Sequence, residues 1–259
     1  MMNATSNRLG VSPEKVKELS KKLRSARDRD FLGRVWKNGV TPYLNMLEGL
    51  ELSGLGCVLD AGCGFGLWSF GLAELNQSVV GVDIESDRIT LANTLASECG
   101  ISNLRFLEGS IDNVPLNDCS CDAIFSFSAI YYTDYVKTIR EFARILRPGG
   151  QLYFCTNGFG WYLYNLLNCP NPSEDFSPRL HAIETLLHTL RYRALGQFSH
   201  GKCLVMSPRR VTRCLTDAGF TGVETLRLDD CKEAPVATGI YPTSFYGFPG
   251  VYEVIARKS

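Results

Sequence analysis

The run Val58-Leu59-Asp60-Ala61-Gly62-Cys63-Gly64-Phe65-Gly66 joins a short apolar segment to three glycines at alternate positions. Glycine lets a backbone turn tightly enough for its polar groups to approach a ligand at a strand end. An acid closes the next apolar run, Asp83 in Gly81-Val82-Asp83-Ile84, and a polar turn, Glu108-Gly109-Ser110-Ile111-Asp112, closes the third. In that order they can hold the carboxylate and amino group, the ribose hydroxyls and the purine edge of a nucleoside-bearing cofactor. Asp60 narrows the choice, because its charge opposes a pyrophosphate and suits a ligand carrying an ammonium and a sulfonium. The dinucleotide pattern G-x-G-x-x-G is also broken, since Leu67 stands where its third glycine belongs. Taken singly, Asp83 can instead cap the helix starting near Ser86, and Asp112 can stabilise a turn. Their joint placement at successive strand ends favours the binding role.

Beyond the fourth apolar run come Phe127 and Ser128, then Ala129-Ile130-Tyr131-Tyr132-Thr133-Asp134. Tyr131 or Tyr132 can orient a reactant or serve as packing, and Asp134 reads as the N-cap of the next helix. His181 and His188 lie seven apart on one helix and read as a solvated face; a metal site would need a carboxylate, and Glu184 points only partly that way. His200, in Phe198-Ser199-His200-Gly201, is either a general base over a pocket or an ordinary loop residue. Trp161, Tyr162, Tyr164, Tyr241, Phe245, Tyr246 and Phe248 favour a partly apolar or ring-shaped reactant. They suit an interface between subunits equally well, so a homodimer is among the expectations. Arg179, Arg191 and Arg193 can meet an anionic group on the reactant or form a solvated helix surface.

These residues must be positioned by the elements between them. Apolar runs at 57–60, 78–83, 104–108, 122–127 and 151–155 alternate with helical segments at 67–75, 87–99 and 134–146. The last helix is stopped by Arg147-Pro148-Gly149-Gly150. That rhythm predicts a parallel sheet with helices on both faces. It is interrupted at 157–198, which holds a turn cluster at 169–172 and a helix at 178–195 with Leu180, Ile183, Leu187 and Leu190 on one face. A helix at 208–218 and strands at 222–228 and 251–257 resume it, separated by the long loop 229–250. Residues 1–50 read as a helical cap, either a solvated helix laid across the main domain or a lid over the site, entered at Ser12-Pro13-Glu14 with Val16, Leu19 and Leu23 as its stripe and Phe31, Trp36 and Tyr43 beyond.

Over about residues 55–156 the chain resembles the class I S-adenosylmethionine-dependent methyltransferases, particularly the small-molecule and ubiquinone-type group. The glycine turn, Asp83, the turn at 108–112 and Arg144-Ile145-Leu146-Arg147-Pro148-Gly149-Gly150 carry the likeness. It implies a Rossmann-like seven-stranded α/β sheet, mostly parallel with an antiparallel last strand. It further implies that Gly62, Gly64 and Gly66 line the methionine end of the cofactor, with Asp60 and Cys63 in the same turn. Asp83 then takes the ribose beside Ile84. Ser110, Ile111 and Asp112 meet the adenine, and Phe127 and Ser128 lie beneath. The expected activity is methyl transfer from S-adenosylmethionine, leaving S-adenosylhomocysteine, to oxygen or nitrogen of a small molecule such as a natural product, peptide, sugar or lipid-linked glycan; the alternatives are an RNA or protein methyltransferase and a non-catalytic S-adenosylmethionine-binding subunit. Residues 51–259 are the methyltransferase domain, and specificity is expected from the insertion at about 158–200 and the loop 229–250.

Bulk properties restrict the alternatives. The 259 residues are 45% hydrophobic and 21% charged, ordinary for one large α/β domain. Lys and Arg number 27, as do Asp and Glu, so no net field draws in nucleic acid or an anionic membrane. A nucleic-acid enzyme methylating exocyclic amines would carry Asn/Asp-Pro-Pro-Tyr/Phe where Ser126-Phe127-Ser128-Ala129 stands, so no nucleic-acid partner is expected. The 10 cysteines include no C-x-x-C pair and no zinc is expected. The opening Met1-Met2-Asn3-Ala4-Thr5-Ser6-Asn7 has no signal-peptide core, so reduced thiols and a cytoplasmic location are expected. No apolar run reaches the roughly 18 residues of a membrane span.

Overall fold

The computed structural model describes residues 11–227 and 242–259, apart from 24, 38, 171 and 173–175. Its helices α1 (Pro13–Ser20), α2 (Ala26–Val35) and α3 (Thr41–Gly49) precede β1 (Cys57–Ala61), α4 (Leu67–Leu75), β2 (Ser78–Asp83), α5 (Ser86–Glu98), β3 (Leu104–Glu108) and β4 (Cys121–Phe127). A single 3-10 turn (Ile130–Tyr132) leads into α6 (Tyr135–Ile145), β5 (Leu146–Asn157), α7 (Phe159–Asn168), α8 (Pro178–Leu195) and α9 (Pro208–Asp217). The chain ends with β6 (Phe220–Arg227), the two-residue strands β7 (Ser244–Phe245) and β8 (Phe248–Pro249), and β9 (Val251–Lys258). The main sheet has seven strands in the order β3-β2-β1-β4-β5-β9-β6. β1 pairs in parallel with β2 and β4, and β2 with β3. β9 runs antiparallel to both β5 and β6, so the sheet is parallel except for the last strand. The expected architecture is the one observed.

The chain divides into two compact units. The first comprises the described residues up to 110 together with 121–125. Ser12 caps α1 by accepting a hydrogen bond from the Lys15 N–H, and Val16, Leu19 and Leu23 are buried. β1 is buried on both faces, which is why it reads as a continuous apolar run rather than an alternation. Gly66, at φ +83°, turns the chain from the glycine loop into α4. A Cβ at Gly66 would lie 2.5 Å from the Phe106 ring.

The second unit comprises 111–120 and the described residues from 126 onward. Arg144 binds it together: its guanidinium donates to the carbonyls of Val114 and Leu116 and pairs with Asp118 and Glu141. Glu141 in turn accepts from the Val114 N–H. Three features depart from the sequence reading. The strand expected at 151–155 begins five residues earlier, since β5 follows α6 directly and takes in Arg147, Pro148 and Gly149 as an exposed start. Residues 159–168 form a helix, α7, where only aromatics and a turn cluster stood out; that cluster lies partly outside the described residues. The described end of the loop expected at 229–250 is a hairpin, β7–β8, turned by Tyr246 and Gly247, both at positive φ. The rest of that loop, with Tyr241, lies outside the described residues.

Candidate active site

The glycine turn and its acids share the first unit. Parallel pairing sets Ala61 beside Val82, which brings the end of β1 level with Asp83. One Asp83 oxygen accepts from the Gly64 N–H at 2.8 Å and the other from the Glu85 N–H at 3.0 Å. Asp83 therefore shapes the glycine turn directly, and α5 has no side-chain cap from it or from Glu85. The N–H groups of Gly62 and Cys63 both reach the Val82 carbonyl, at 2.8 and 3.0 Å. Gly62, Gly64 and Gly66 all hold positive φ, a conformation that costs a residue with a Cβ about 1–2 kcal/mol.

Asp60 is the electrostatic anomaly of the turn. It is buried, and the Ser69 hydroxyl donates to it at 2.5 Å. Burial pushes its carboxyl up to about 7; the Ser69 hydrogen bond opposes this, and the nearby Asp83 charge adds to it. Cys63, buried against the same two acids, has its thiol pushed well up, chiefly by burial. A carboxylate buried in this way gains from a cation more than a solvated one does. Ile84 presents an exposed apolar side chain immediately after Asp83, at 64%.

α2 approaches the same turn. Asp28 forms an ion pair with Arg88 at 2.9 Å, and the Arg88 guanidinium lies over the Phe65 ring, 5.3 Å from its centre. Phe31 stands 6.2 Å from that ring. Ser110 is half-buried in this unit.

In the second unit Ile111 and Asp112 are buried, and Asp112 pairs with Lys137 at 3.2 Å. Phe127 is half-buried, and Ser128 leaves β4 at φ +57°, an uncommon conformation for a non-glycine residue and one found at functional turns. Tyr131 is buried, with its carbonyl accepting from the Leu204 N–H, and burial raises its phenol well above the ordinary value. Tyr132, 51% exposed, lies with its ring tilted against that of Tyr131, 4.6 Å between centres, and hydrogen-bonds the Cys203 thiol. Asp134 caps α6 through the Val136 and Lys137 N–H groups and also accepts from the Tyr192 hydroxyl at 2.6 Å.

His200 is exposed, its ring 5.6 Å from Phe198, and does not join the tyrosine pair in any hydrogen bond described. His188 contradicts the solvated-face reading: it is buried, its Nδ1 bonded to the Cys203 carbonyl at 2.9 Å and its Nε2 accepting from the Ser199 N–H at 3.1 Å. Seven-residue spacing alone cannot tell which side of a helix faces inward. Among the described residues no group of three or more metal-binding side chains converges.

Sequence reasoning did not find the assembly of the two aromatic segments. Gly158 donates to the Gly250 carbonyl, and Cβ atoms at Gly158 or Gly160 would strike the carbonyls of Pro249 and Phe248. Only glycines permit that approach, which seats the hairpin on α7. Phe159 meets Phe248 at 4.9 Å, Tyr164 meets Phe245 at 5.4 Å, and Trp161 stacks on Tyr164 at 6.4 Å. The Gly158 and Gly160 pair was the available signal. Tyr162 is buried near Asn157, Tyr132 and Cys203.

Comparison with known proteins places this geometry. Residues 58–150 match the family model described as a methyltransferase domain. The uncharacterized methyltransferase YcgJ of Bacillus subtilis is 34% identical over 95 residues, covering 36% of this chain and 38% of that protein. The demethylmenaquinone methyltransferase of Lactococcus lactis is 31% identical over 154 residues, covering 55% and 58%. The chain thus spans less than two thirds of the length of either relative. The crystal structure of geranyl diphosphate C-methyltransferase from Streptomyces coelicolor, solved with Mg2+, geranyl diphosphate and S-adenosylhomocysteine, superimposes with TM-score 0.57 at 19% identity, covering 84% of this chain and 78% of that one. Residues 58–150 carry a methyltransferase domain of the class I, S-adenosylmethionine-dependent type. Among the described residues no helix is long and apolar enough to cross a membrane.

Proposed function

We propose that this chain, built around a class I methyltransferase domain, is an enzyme that transfers the methyl group of S-adenosylmethionine to oxygen or nitrogen of a small, partly apolar acceptor. Buried Asp60 carries the reading, because a carboxyl held by burial above its ordinary range is relieved by an adjacent cation, which marks a place prepared for one. The cofactor supplies an electrophilic methyl group on a sulfonium.

The chain's own residues bind and orient. Asp60 balances the cofactor's positive charge, and Gly62, Cys63, Gly64 and Gly66 form the turn that admits its methionine end. Asp83, held against Gly64, accepts from the ribose hydroxyls, with Ile84 exposed for the adenine face. Ser110, Ile111 and Asp112 serve the adenine edge, and Phe127 and Ser128 the floor. The described residues between 11 and 50 act as the cap, with α2 latched to the turn through the Asp28–Arg88 pair and the Phe31 and Phe65 rings; the start of the expected cap, 1–10, lies outside the described residues.

In the second unit the aromatics of α7, in the 158–200 insertion, and of the hairpin, at the end of the 229–250 loop, form the wall for an apolar or ring-bearing acceptor. The ring-bearing substrate named for the Lactococcus lactis relative agrees with that preference. Tyr132, the more exposed of the tyrosine pair, orients the acceptor, with Tyr131 beneath it. A hydroxyl acceptor must lose a proton, and exposed His200 is the imidazole available to take it. We assign the protein to the cytoplasm.

The test is incubation of the protein with methyl-labelled S-adenosylmethionine and a panel of phenols, reduced quinones, peptides and sugars, read by mass spectrometry. A labelled O-methyl or N-methyl product from an aromatic acceptor is expected. A C-methylated product contradicts the atom assigned, and label on added RNA or protein alone contradicts the acceptor class.

A further inference from the structure

Helix α8 is turned inside out. Leu180, Ile183, Leu187 and Leu190 would be expected against a core, yet they are 63%, 41%, 62% and 61% exposed. The buried side is Ala182, Thr185, His188 and Thr189. That orientation is fixed by hydrogen bonds rather than by apolar packing alone. His188 uses both ring nitrogens on backbone of the segment after the helix. The Thr189 hydroxyl donates to the Thr185 carbonyl at 2.7 Å and accepts from the Val205 N–H at 2.9 Å. Rotating the leucines inward would strip these buried groups of partners, at about 1–3 kcal/mol each.

The outward row is evenly patterned. Leu180, Ile183, Leu187, Leu190 and exposed Ala194 are spaced three and four residues apart in alternation, the a and d positions of a coiled-coil seam. At roughly 100 Å2 for each half-exposed leucine or isoleucine, the row offers on the order of 400–500 Å2 of apolar surface. The apolar share of a standard interface, ~57% of the ~800 Å2 that each partner buries, is about the same. A strip of this size matches the largest apolar patches on monomers, ~300–600 Å2, which are often functional.

We infer that α8 is a dimerisation helix, packing in parallel against α8 of a second copy of this chain about a twofold axis. The flanking charges select this occupant and this direction. Arg179 occupies a g position and Glu184 the following e position, so a parallel pair brings each Arg179 beside Glu184 of the partner subunit. This attraction occurs twice by symmetry. An antiparallel pair would instead set Arg179 against Arg193 of the partner subunit. Glu184 is exposed and held by Lys202 at 2.9 Å, which keeps its carboxylate at the seam's edge.

Sedimentation velocity of the whole chain from about 1 to 100 μM tests this, a range that brackets dissociation constants of an interface this size. The expected result is a dimer. Leu187→Glu should abolish it while leaving the circular dichroism spectrum unchanged, since the side chain is already exposed, and the melting temperature should then no longer depend on protein concentration. Arg179→Glu should weaken the dimer at least tenfold, and Arg179→Glu with Glu184→Arg should restore it to within about threefold. A wild-type monomer across the whole range overturns the inference, as does a dimer indifferent to Leu187→Glu. A dimer lost on Leu187→Glu but unmoved by both charge variants overturns the parallel seam.

Discussion

Replacing Asp60 by Asn tests how the turn recognises a cation. The distance between about 7 and an ordinary carboxyl value corresponds to about 4 kcal/mol of preference for the neutral form in the ligand-free protein. Because the folded value is the raised one, this stability is complete below about pH 4 and is lost as pH rises through 7. Asp60→Asn should therefore stabilise the ligand-free protein by about 2–4 kcal/mol at pH 8 and by little at pH 4. A bound cation favours the ionised acid, so S-adenosylmethionine must displace a proton below pH 7. Affinity should rise about tenfold per unit from pH 5.5 towards 7 and level off before the cofactor's own amino group titrates, near 8. Isothermal calorimetry at pH 6 in buffers of different ionisation enthalpy should count nearly one proton released, and none with Asp60→Asn. Affinity flat from pH 5.5 to 7.5, or a ligand-free Asp60→Asn protein less stable than wild type at pH 8, would refute the reasoning.

Three further outcomes follow from the same geometry. Asp83→Ala removes both the acceptor for the ribose and the bond to the Gly64 N–H, and calorimetry should show binding weakened by about 1–3 kcal/mol; unchanged affinity would sink the assignment. Gly66→Ala forces a Cβ to 2.5 Å from Phe106 at a left-handed φ, and should cost about 2–4 kcal/mol in urea denaturation. Adding Phe106→Leu should recover part of that loss, and an additive pair would show that the two do not touch. Arg144→Ala releases residues 114–118 from α6 and should cost about 2–3 kcal/mol. It should also weaken cofactor binding, because Asp112 belongs to the same segment; a melting temperature unchanged by the substitution would contradict this.

The alternation of strands and helices was legible because parallel strands buried on both faces are short apolar runs closed by glycine or acid, as at 57–61 and 78–83. α8 was legible in extent, expected at 178–195 and found at Pro178–Leu195, but not in orientation. Its leucines imitate an inward face, while the inward face is made by His188 and Thr189 bonding to backbone distant in sequence. The glycine turn could be read because close approach restricts residue type, whereas the bond from Gly64 to Asp83 depends on the register of two strands. Tyr131 and Tyr132 looked equivalent in sequence; the 3-10 turn buries one and exposes the other. The union of α7 with the hairpin was hidden because backbone contacts at Gly158 and Gly160 leave no periodicity to detect.

The most direct measurement of the central claim is calorimetric titration of the purified chain with S-adenosylmethionine, alongside the Asp83→Ala protein. Saturable one-to-one binding at pH 7.5, weakened by about 5- to 150-fold in the variant, is the predicted result. No heat of binding to a folded wild-type protein, or equal affinity in the two, would contradict it.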